Sequence, residues 1–243
     1  LSNCAMKILH LADTNIATVQ YGLESRRTDF SLAVRQAIDI ALQHKVSAVI
    51  HAGDLFNDKN PSLDDLNETL SSLALLKEAR IPFLGITGNH CQPNGLQWLD
   101  MLQNQKLATR LSPTTPYDLD EVPIYGLDYL WRKSITLPEV PSDSILVCHQ
   151  LVDKVAPRAE LSEQTLSESN AKLILLGDYH LWNLWKLGNK IISYSGSTER
   201  WSISEKEDRS VNLIDLDDYS FERIFLKTRK FIYNYIQGWY MSQ

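Results

Sequence analysis

The chain has 243 residues, and 24 Lys and Arg against 30 Asp and Glu give it a formal net charge of −6. Hydrophobic residues make up 44% of the chain, which supplies a sizeable core and excludes a disordered protein. No apolar run approaches the ~18–20 residues of a membrane span, and the cysteines form no spaced framework, so we expect a cytoplasmic protein without a membrane partner. The acidic balance argues against a protein that wraps nucleic acid with a basic surface.

Short apolar runs alternate with amphipathic stretches through the first half of the chain. The apolar runs predict strands over Lys7–Ala12, Ala48–Ala52 and Pro82–Thr87. Helical spacing of apolar residues predicts one helix over Thr28–Lys45 and a second that begins after Asn60-Pro61-Ser62. Strands separated by helices of this length predict an α/β fold in which the first strands pair in parallel.

The second half of the chain becomes a β-meander. Two apolar runs predict buried strands, Ile145–Cys148 and Leu173–Leu176. Four further strands are predicted as two antiparallel pairs, Leu184–Leu187 with Ile191–Tyr194 and Val211–Leu216 with Phe221–Leu226. Since no repeat or linker interrupts the pattern, one main domain is expected.

Polar side chains follow the predicted strands at the points where they end. The set comprises Asp13, Asp54, Asn89, His149, Asp178 and His180. Ligands gather beyond the carboxyl ends of strands in α/β sheets, so these side chains can converge. Mixed carboxylate, amide and imidazole donors suit Mn²⁺, Fe²⁺ or Zn²⁺, and their number favours two metals that share an Asp. His10 and His51 lie within strands, where we expect core or supporting roles rather than ligation.

The motifs at these strand ends occur in a recognisable order. They read Asp13-x-Asn15, Gly53-Asp54, Gly88-Asn89-His90, His149 and Gly177-Asp178-x-His180. This order resembles the calcineurin-like metallophosphoesterases, whose usual signature is D-x-H, G-D, G-N-H-D/E, H and G-H-x-H. The segments HLADTN, GDLFND, CHQ and YSGSTERWSISE look like the SbcD-type nucleases of DNA double-strand-break repair. The resemblance runs from about Met6 to Phe231.

The resemblance implies a four-layer α/β sandwich, in which two mixed β-sheets are flanked by helices and a dimetal site lies at the carboxyl ends of strands. It assigns one metal to Asp13, Asn15, Asp54 and His180, and the other to Asp54, Asn89, His149 and Asp178. Asp54 would bridge the two ions. His90 matches the family's catalytic histidine, which contacts the scissile phosphate. Mn²⁺ is the expected metal, with Mg²⁺, Fe²⁺ and Zn²⁺ as alternatives.

Three positions depart from the family pattern. Asn15 stands where the family has a His, and its amide oxygen is a weaker metal ligand than an imidazole nitrogen. The asparagine is either the natural residue or a substitution that was made to disable catalysis. Cys91 replaces the carboxylate that usually follows the Gly-Asn-His triplet, which affects the tuning of His90. Asp178 replaces the first His of G-H-x-H and adds a negative charge, which should retain metal more strongly but weaken its pull on phosphate. Reduced but not abolished activity is therefore expected.

Basic residues near the motifs are candidates for contacts with DNA phosphates. The set comprises Arg26, Arg27, Lys59, Arg132 and Arg200. For any single one of them, ordinary solvated surface is the favoured alternative. Trp131 could stack on a base or serve only in packing.

The resemblance also implies partners and domain limits. A homodimer is expected through helices near Leu63–Leu76 and Trp98–Met101, although the leucine stripe could equally be core. DNA and an SbcC-type ATPase are the other expected partners, in the nucleoid, or in the nucleus of a eukaryote. Residues 1–5 are expected to be an added leader, 6–228 the nuclease domain, and 229–243 an extension at the start of a capping domain.

The leading hypothesis is a metal-dependent exo- or endonuclease that hydrolyses phosphodiester bonds at DNA ends. A second hypothesis is a phosphoesterase for small nucleotides, which the metal motifs alone permit. A third is a DNA-end-binding subunit whose catalysis is weakened by the changes at Asn15 and Cys91.

Overall fold

The structure is a computed structural model that describes residues 5–57, 59–90, 95–131 and 135–232. Over these ranges the chain forms twelve strands and four helices. The strands are β1 Lys7–Leu11, β2 Ala48–His51, β3 Phe83–Gly85, β4 Thr109–Arg110, β5 Tyr117–Leu119, β6 Val122–Leu127, β7 Ile145–His149, β8 Leu173–Gly177, β9 Asn183–Leu187, β10 Lys190–Tyr194, β11 Ser210–Asp215 and β12 Phe221–Phe225. The helices are α1 Glu24–His44, α2 Leu63–Glu78, α3 Trp98–Asn104 and α4 Glu163–Glu168.

The strands form two mixed six-stranded sheets. The first has the order β12-β11-β1-β2-β3-β4, in which β1 to β4 run in parallel and β11 and β12 are antiparallel additions. The second has the order β5-β6-β7-β8-β10-β9, in which β6, β7, β8 and β10 run in parallel. The parallel strands of each sheet therefore end along one edge.

The sheets pack face to face, and helices cover the outer face of each. Successive side chains of β1 point to opposite faces of the first sheet. Ile8 therefore packs between the two sheets, while Leu9 packs under the helices on the outer face. Ile38 of α1 and Leu73 of α2 belong to that outer core, and Leu166 of α4 packs on the second sheet. The result is the expected four-layer α/β sandwich.

The predicted strands and helices of the first half are present, with one informative shift. Helix α1 begins at Glu24, earlier than the predicted Thr28. Its first turn carries Arg26, which is buried through ion pairs with Asp29 and Glu199. Hydrophobic spacing cannot predict a turn whose buried residue is an arginine, so the predicted helix started too late.

The predicted hairpins are present, whereas β4, β5, β6 and α4 were not predicted. Gly188-Asn189 forms the tight turn between β9 and β10. Strand β4 has only two residues, and β6 contains Pro123 and Gly126, which are poor strand formers.

The predicted domain limits stay predictions. Most of the expected leader and residues 233–243 lie outside the described residues, as does Cys91. Within the described part of the chain, no helix is both long enough and apolar enough to cross a membrane.

Candidate metal centre

The predicted ligands lie at the edge where the parallel strands end. Asp13 follows β1, Asp54 follows β2 and Asn89 follows β3, while His149 ends β7 and Asp178 follows β8. The two sheets meet here through a parallel bridge between Ala12 and Ser197. Both sheets thus contribute side chains to one site.

The backbone at this edge has left-handed conformations at non-glycine residues. The φ angles are 51° at Asp13, 45° at Asn15, 56° at Asp54 and 83° at Asp178. Asp and Asn tolerate this region better than other residues, but it costs free energy and persists only where surrounding structure holds it. Hydrogen bonds hold it here, since the Asp13 amide donates to the Gly53 carbonyl (3.0 Å) and the Asn15 amide to the Asp54 carbonyl (2.9 Å). The backbone is therefore fixed in the turn that aims these side chains.

Two glycines allow the strand ends to approach closely. Gly53 has a φ of 98°, and a Cβ there would collide with the imidazole of His149. A Cβ at Gly177 would collide with the carbonyl oxygen of Ala52. The Gly-Asp motifs therefore serve packing as well as supplying an acid.

His149 directs one nitrogen at three carboxylates. Its Nδ1–H donates to the Ala52 carbonyl (2.7 Å), which leaves Nε2 at 3.3 Å from Asp54 Oδ2, 3.8 Å from Asp178 Oδ1 and 3.9 Å from Asp13 Oδ1. Burial opposes a charge on this ring, but the carboxylates outweigh burial and raise the pKa of His149 to about 10. The site thus attracts a cation strongly.

The carboxylates at this edge repel one another. Burial, with the neighbouring Asp13 and Asp54 carboxylates, raises the pKa of Asp178 to about 6. Burial also raises the pKa of Asp13, whereas the charge of His149 overcomes burial at Asp54 and lowers its pKa. Asp54 Oδ1 accepts the His90 amide (3.0 Å), which places this carboxylate centrally among the group.

The residues present fit a divalent metal. Asp13, Asp54 and His149 are buried, and each offers a ligand atom within 4.8 Å of the others. Among the described residues, His149 Nε2 and both side-chain amide atoms of Asn15 are buried without a hydrogen-bond partner. Of these atoms, His149 Nε2 and the amide oxygen of Asn15 can each offer a lone pair to a metal ion, whereas Asn15 Nδ2 is a donor and cannot.

Asn89 and His180 complete the edge. Asn89 Nδ2 donates to Asp178 Oδ1 (2.7 Å), so its amide oxygen can face the site. His180 Nε2 lies 4.0 Å from Asp13 Oδ1, at the margin of the group. Both positions are compatible with the predicted ligand sets, whose roles stay predictions.

Glu205 is a residue that sequence reasoning missed. Its Oε1 accepts the Nδ1–H of His180 (3.1 Å), and its other oxygen accepts the Trp201 amide (2.8 Å) and pairs with Arg209 (3.0 Å). Burial opposes the charge on His180, but the hydrogen bond to Glu205 and the charge of Asp13 raise its pKa. A carboxylate that orients a metal-binding histidine is common in metal sites. The segment YSGSTERWSISE pointed to this region but not to that contact.

His90 lies at the rim of the site. Its side chain is 33% exposed, and Nε2 lies 3.8 Å from Asp54 Oδ2. Nδ1 hydrogen-bonds the Asn57 carbonyl, and the ring packs edge-on against Trp201 at 5.6 Å. The ring is thus held with one nitrogen toward the carboxylates and with access to solvent.

Two of the predicted DNA contacts are buried in the fold. Arg26 is 1% exposed, and it donates to Asp29 Oδ2 (2.7 Å) and to the carbonyl oxygen of Arg200 (2.8 Å). The Arg200 side chain is 4% exposed and donates to Thr228 Oγ1 (2.6 Å) and Asp208 Oδ1 (3.0 Å). Both guanidinium groups are buried and bonded inside the fold, which favours a structural role, and their contact with DNA stays a prediction.

The remaining basic candidates differ in position. Arg27 pairs with Asp65 at the start of α2, whereas Lys59 is exposed close to His90. Arg132 lies outside the described residues. Lys59 is therefore the predicted contact best placed beside the strand-end site.

The leucine stripe on α2 divides between core and surface. Leu73 and Leu76 are buried in the core, whereas Leu63 is 84% exposed. Trp98 and Met101 of α3 are partly buried against the same core. The predicted homodimer stays a prediction.

His10 and His51 are buried within the first sheet, as expected. His51 Nε2 hydrogen-bonds Thr14 Oγ1 (3.0 Å), so it supports the loop that carries Asp13. Burial lowers the pKa of each histidine to about 3.

Similarity to known proteins agrees with this geometry. Residues 6–181 match the family model of the calcineurin-like phosphoesterases. The chain is 40% identical over 245 residues to a DNA double-strand break repair protein Mre11 of Methanosarcina mazei, covering 94% of this chain and 39% of that protein. It is 38% identical to the Mre11 of Haloferax volcanii, covering 93% of this chain and 54% of that protein.

Solved structures show the fold alone. An archaeal phosphodiesterase superposes with a TM-score of 0.53 at 14% identity, and the match covers 91% of this chain and 100% of the phosphodiesterase chain. A dimetal phosphatase of Danio rerio superposes with a TM-score of 0.53 at 12% identity, covering 87% of this chain and 92% of its own. From the family match and the site geometry together, the chain belongs to the calcineurin-like phosphoesterase family.

Proposed function

We propose that the protein is a metal-dependent nuclease that hydrolyses phosphodiester bonds at DNA ends. The observation that carries this proposal is the buried group of Asp13, Asp54 and His149, with His90 at its rim. Similarity to relatives described as double-strand break repair proteins supports DNA as the substrate. The chain spans only 39% of the length of the Methanosarcina mazei relative, so activity and substrate are proposed for this chain separately.

Two divalent ions are proposed at the strand-end site. Asp13, Asn15, Asp54 and His180 would hold one, and Asp54, Asn89, His149 and Asp178 would hold the other. Bound ions would neutralise the phosphodiester and lower the pKa of a coordinated water. Mn²⁺ is proposed because the donors mix carboxylate and amide oxygens with imidazole nitrogens, and Mg²⁺, Fe²⁺ and Zn²⁺ remain alternatives for the same donors.

His90 is proposed to handle the proton of the leaving oxygen. The bond from Nδ1–H to the Asn57 carbonyl fixes its ring and leaves Nε2 facing the Asp54 side of the site. A proton on Nε2 can pass to an oxygen that leaves the phosphorus atom, since the rim position admits substrate. Asp54 accepts the His90 amide and so also positions the residue.

The test compares substrates and one ligand variant in Mn²⁺. Asp54→Asn should lower cleavage of linear duplex DNA at least ~100-fold, because the variant loses the shared carboxylate. Asp39→Asn, the same change on an exposed face of α1, should leave the rate unchanged. A preference for nucleotide mono- or diesters over DNA would replace the nuclease proposal by the small-substrate phosphoesterase.

Weakened catalysis is tested at Asn15. If its amide is the limiting donor, Asn15→His should increase both Mn²⁺ affinity and the cleavage rate by ~10-fold or more. An unchanged cleavage rate in Asn15→His would show that the Asn15 amide does not limit catalysis. Tight DNA binding without cleavage at full metal occupancy would favour the end-binding subunit.

Partners and location are proposed from the same relationship. We propose a homodimer through α2 and α3 that works with an SbcC-type ATPase in the cytoplasm at the nucleoid, or in the nucleus of a eukaryote. The proposed nuclease domain is 6–228, followed by an extension over 229–243. Light scattering of the purified chain tests the dimer directly, and a monomer at micromolar concentration would contradict it.

A further inference from the structure

A separate apolar cavity opens beside the proposed catalytic histidine. Its volume is about 210 Å³, and its buried walls include Phe56, Phe83 and Leu99. His90 and Leu96 lie at its exposed mouth. The cavity and the strand-end site therefore share His90.

The size and lining of this cavity limit what it can hold. It is smaller than the ~300–1,000 Å³ sites of drug-sized ligands, whereas an apolar cavity of ~150 Å³ in another protein holds one benzene ring. A single flat ring system therefore fits, but a whole nucleotide does not. The walls are mainly apolar, which disfavours a charged or sugar-like occupant.

Aromatic residues give the cavity a stacking surface. The rings of Phe56 and Trp98 lie 5.7 Å apart at an angle of 53°. Trp98 Nε1 donates to the Lys59 carbonyl (3.2 Å), which fixes the indole in place. A planar group that enters the cavity can pack on a ring that is already ordered. Binding therefore costs little free energy for ordering the side chains of the cavity.

We propose that this cavity accepts a nucleobase turned out of the DNA strand next to the bond that is cleaved. This inference rests on the proposed nuclease function for its role, because a base beside His90 would belong to the nucleotide whose phosphate reaches the metals. Bases unstack at modest cost at strand ends, and each base stacked on an aromatic side chain recovers free energy. The exposed Lys59 places positive charge at the mouth, where the phosphates of that strand would pass.

Binding is tested without metal or cleavage by titrating the protein with 2-aminopurine riboside, whose fluorescence is quenched by stacking. Trp98→Leu should weaken binding about tenfold, the size expected from one lost stacking contact. Trp98→Phe keeps an aromatic ring, so its affinity for the riboside should stay within about threefold of the parent's. This variant keeps the test possible if Trp98→Leu fails to fold. Phe225→Leu, at an exposed phenylalanine of β12 that does not line the cavity, should have no effect.

Cleavage supplies the second readout. In Mn²⁺, DNA with an abasic residue at the cleavage site should be cut about tenfold more slowly than intact DNA by the parent, and Trp98→Leu should cut both at the slower rate. Riboside binding that is absent, or equal in the parent and Trp98→Leu, would overturn the base pocket while DNA cleavage still stands. Riboside binding without any DNA cleavage would support the pocket and refute the nuclease. A Trp98→Leu variant that changes oligomeric state without riboside binding would assign the cavity to a second copy and overturn the inference.

Discussion

Two clusters of charge in this protein have opposite character. The metal edge comprises Asp13, Asp54, Asp178 and His149, in which three carboxylates face one buried imidazole, with His180 and His90 at the margin. The arginine network comprises Arg26, Asp29, Glu199, Arg200, Asp208 and Arg229, in which three guanidinium groups face three carboxylates. The first cluster has an excess of one sign, whereas the second is balanced.

Hydrogen bonding separates the clusters further. Arg26 uses its guanidinium on a carboxylate, a carbonyl and the Gln20 side chain, and lies against the rings of Phe30 and Phe231. At the metal edge, His149 Nε2 and the Asn15 amide lack partners among the described residues. A balanced, satisfied network stabilises the fold, whereas unbalanced and unsatisfied groups are typical of a ligand-binding site. Burial of charge alone therefore does not identify function.

The arginine network should show the largest effect on stability. Arg26→Met leaves the buried Glu199 carboxylate without its ion-pair partner and leaves Asp29 with Arg229 alone, and it should lower the free energy of unfolding by about 3–5 kcal/mol. Urea denaturation measures this change. Arg35→Met, which breaks an exposed pair with Asp39 on the same helix, should cost under ~0.5 kcal/mol. Equal effects of the two changes would mean that the network does not stabilise the fold.

Glu205 should affect metal binding more than folding. Glu205→Gln loses the charge that orients His180 and should weaken Mn²⁺ binding about 10–100-fold. Calorimetric titration with Mn²⁺ measures the affinity. Glu207→Gln is the matched control, because Glu207 is exposed in the same loop. Unchanged Mn²⁺ affinity in Glu205→Gln would remove this residue from the metal centre.

Removing a carboxylate charge from the metal edge should stabilise the metal-free protein, whereas removing Arg26 should destabilise it. The pKa of Asp178 is raised from 3.8 to about 6, so in the metal-free protein its contribution is favourable below about pH 4 and is lost as the pH rises through 6. Asp178→Asn should therefore raise the metal-free free energy of unfolding by about 1–2 kcal/mol at pH 7.5 and change it little at pH 4. Urea denaturation in a chelator, with exposed Asp143→Asn as control, measures both values. A destabilised variant at pH 7.5 would show that the carboxylate is structural.

The sequence was informative about the metal edge because parallel strands impose its geometry. Asp13, Asp54 and His149 follow or end separate apolar runs, and the carboxyl ends of parallel strands meet, so their proximity could be predicted. The roles of Arg26 and Arg200 could not be predicted. Arg26 is buried against Glu199 and the carbonyl oxygen of Arg200, which lie far away in the chain, and a buried arginine looks like a surface one in the sequence.

The sequence also failed to predict the shortest strands and the contacts between residues that are far apart in the chain. Strands β4 and β5 have two and three residues, too few for a periodic signal. Glu205 lies 25 residues after His180, and only folding brings the carboxylate to the ring. Local pattern thus predicted where the strands end, while pairing between distant charged groups required the structure.

We expect the unsatisfied strand-end cluster to be a dimetal centre. Anomalous diffraction at the manganese edge from crystals grown with Mn²⁺ tests it most directly. Two peaks are expected, one on each side of the Asp54 carboxylate and about 3.5–4 Å apart, and neither peak is expected in Asp54→Asn. Crystals at saturating Mn²⁺ that show no peak between Asp13, Asp54 and His149 would contradict it.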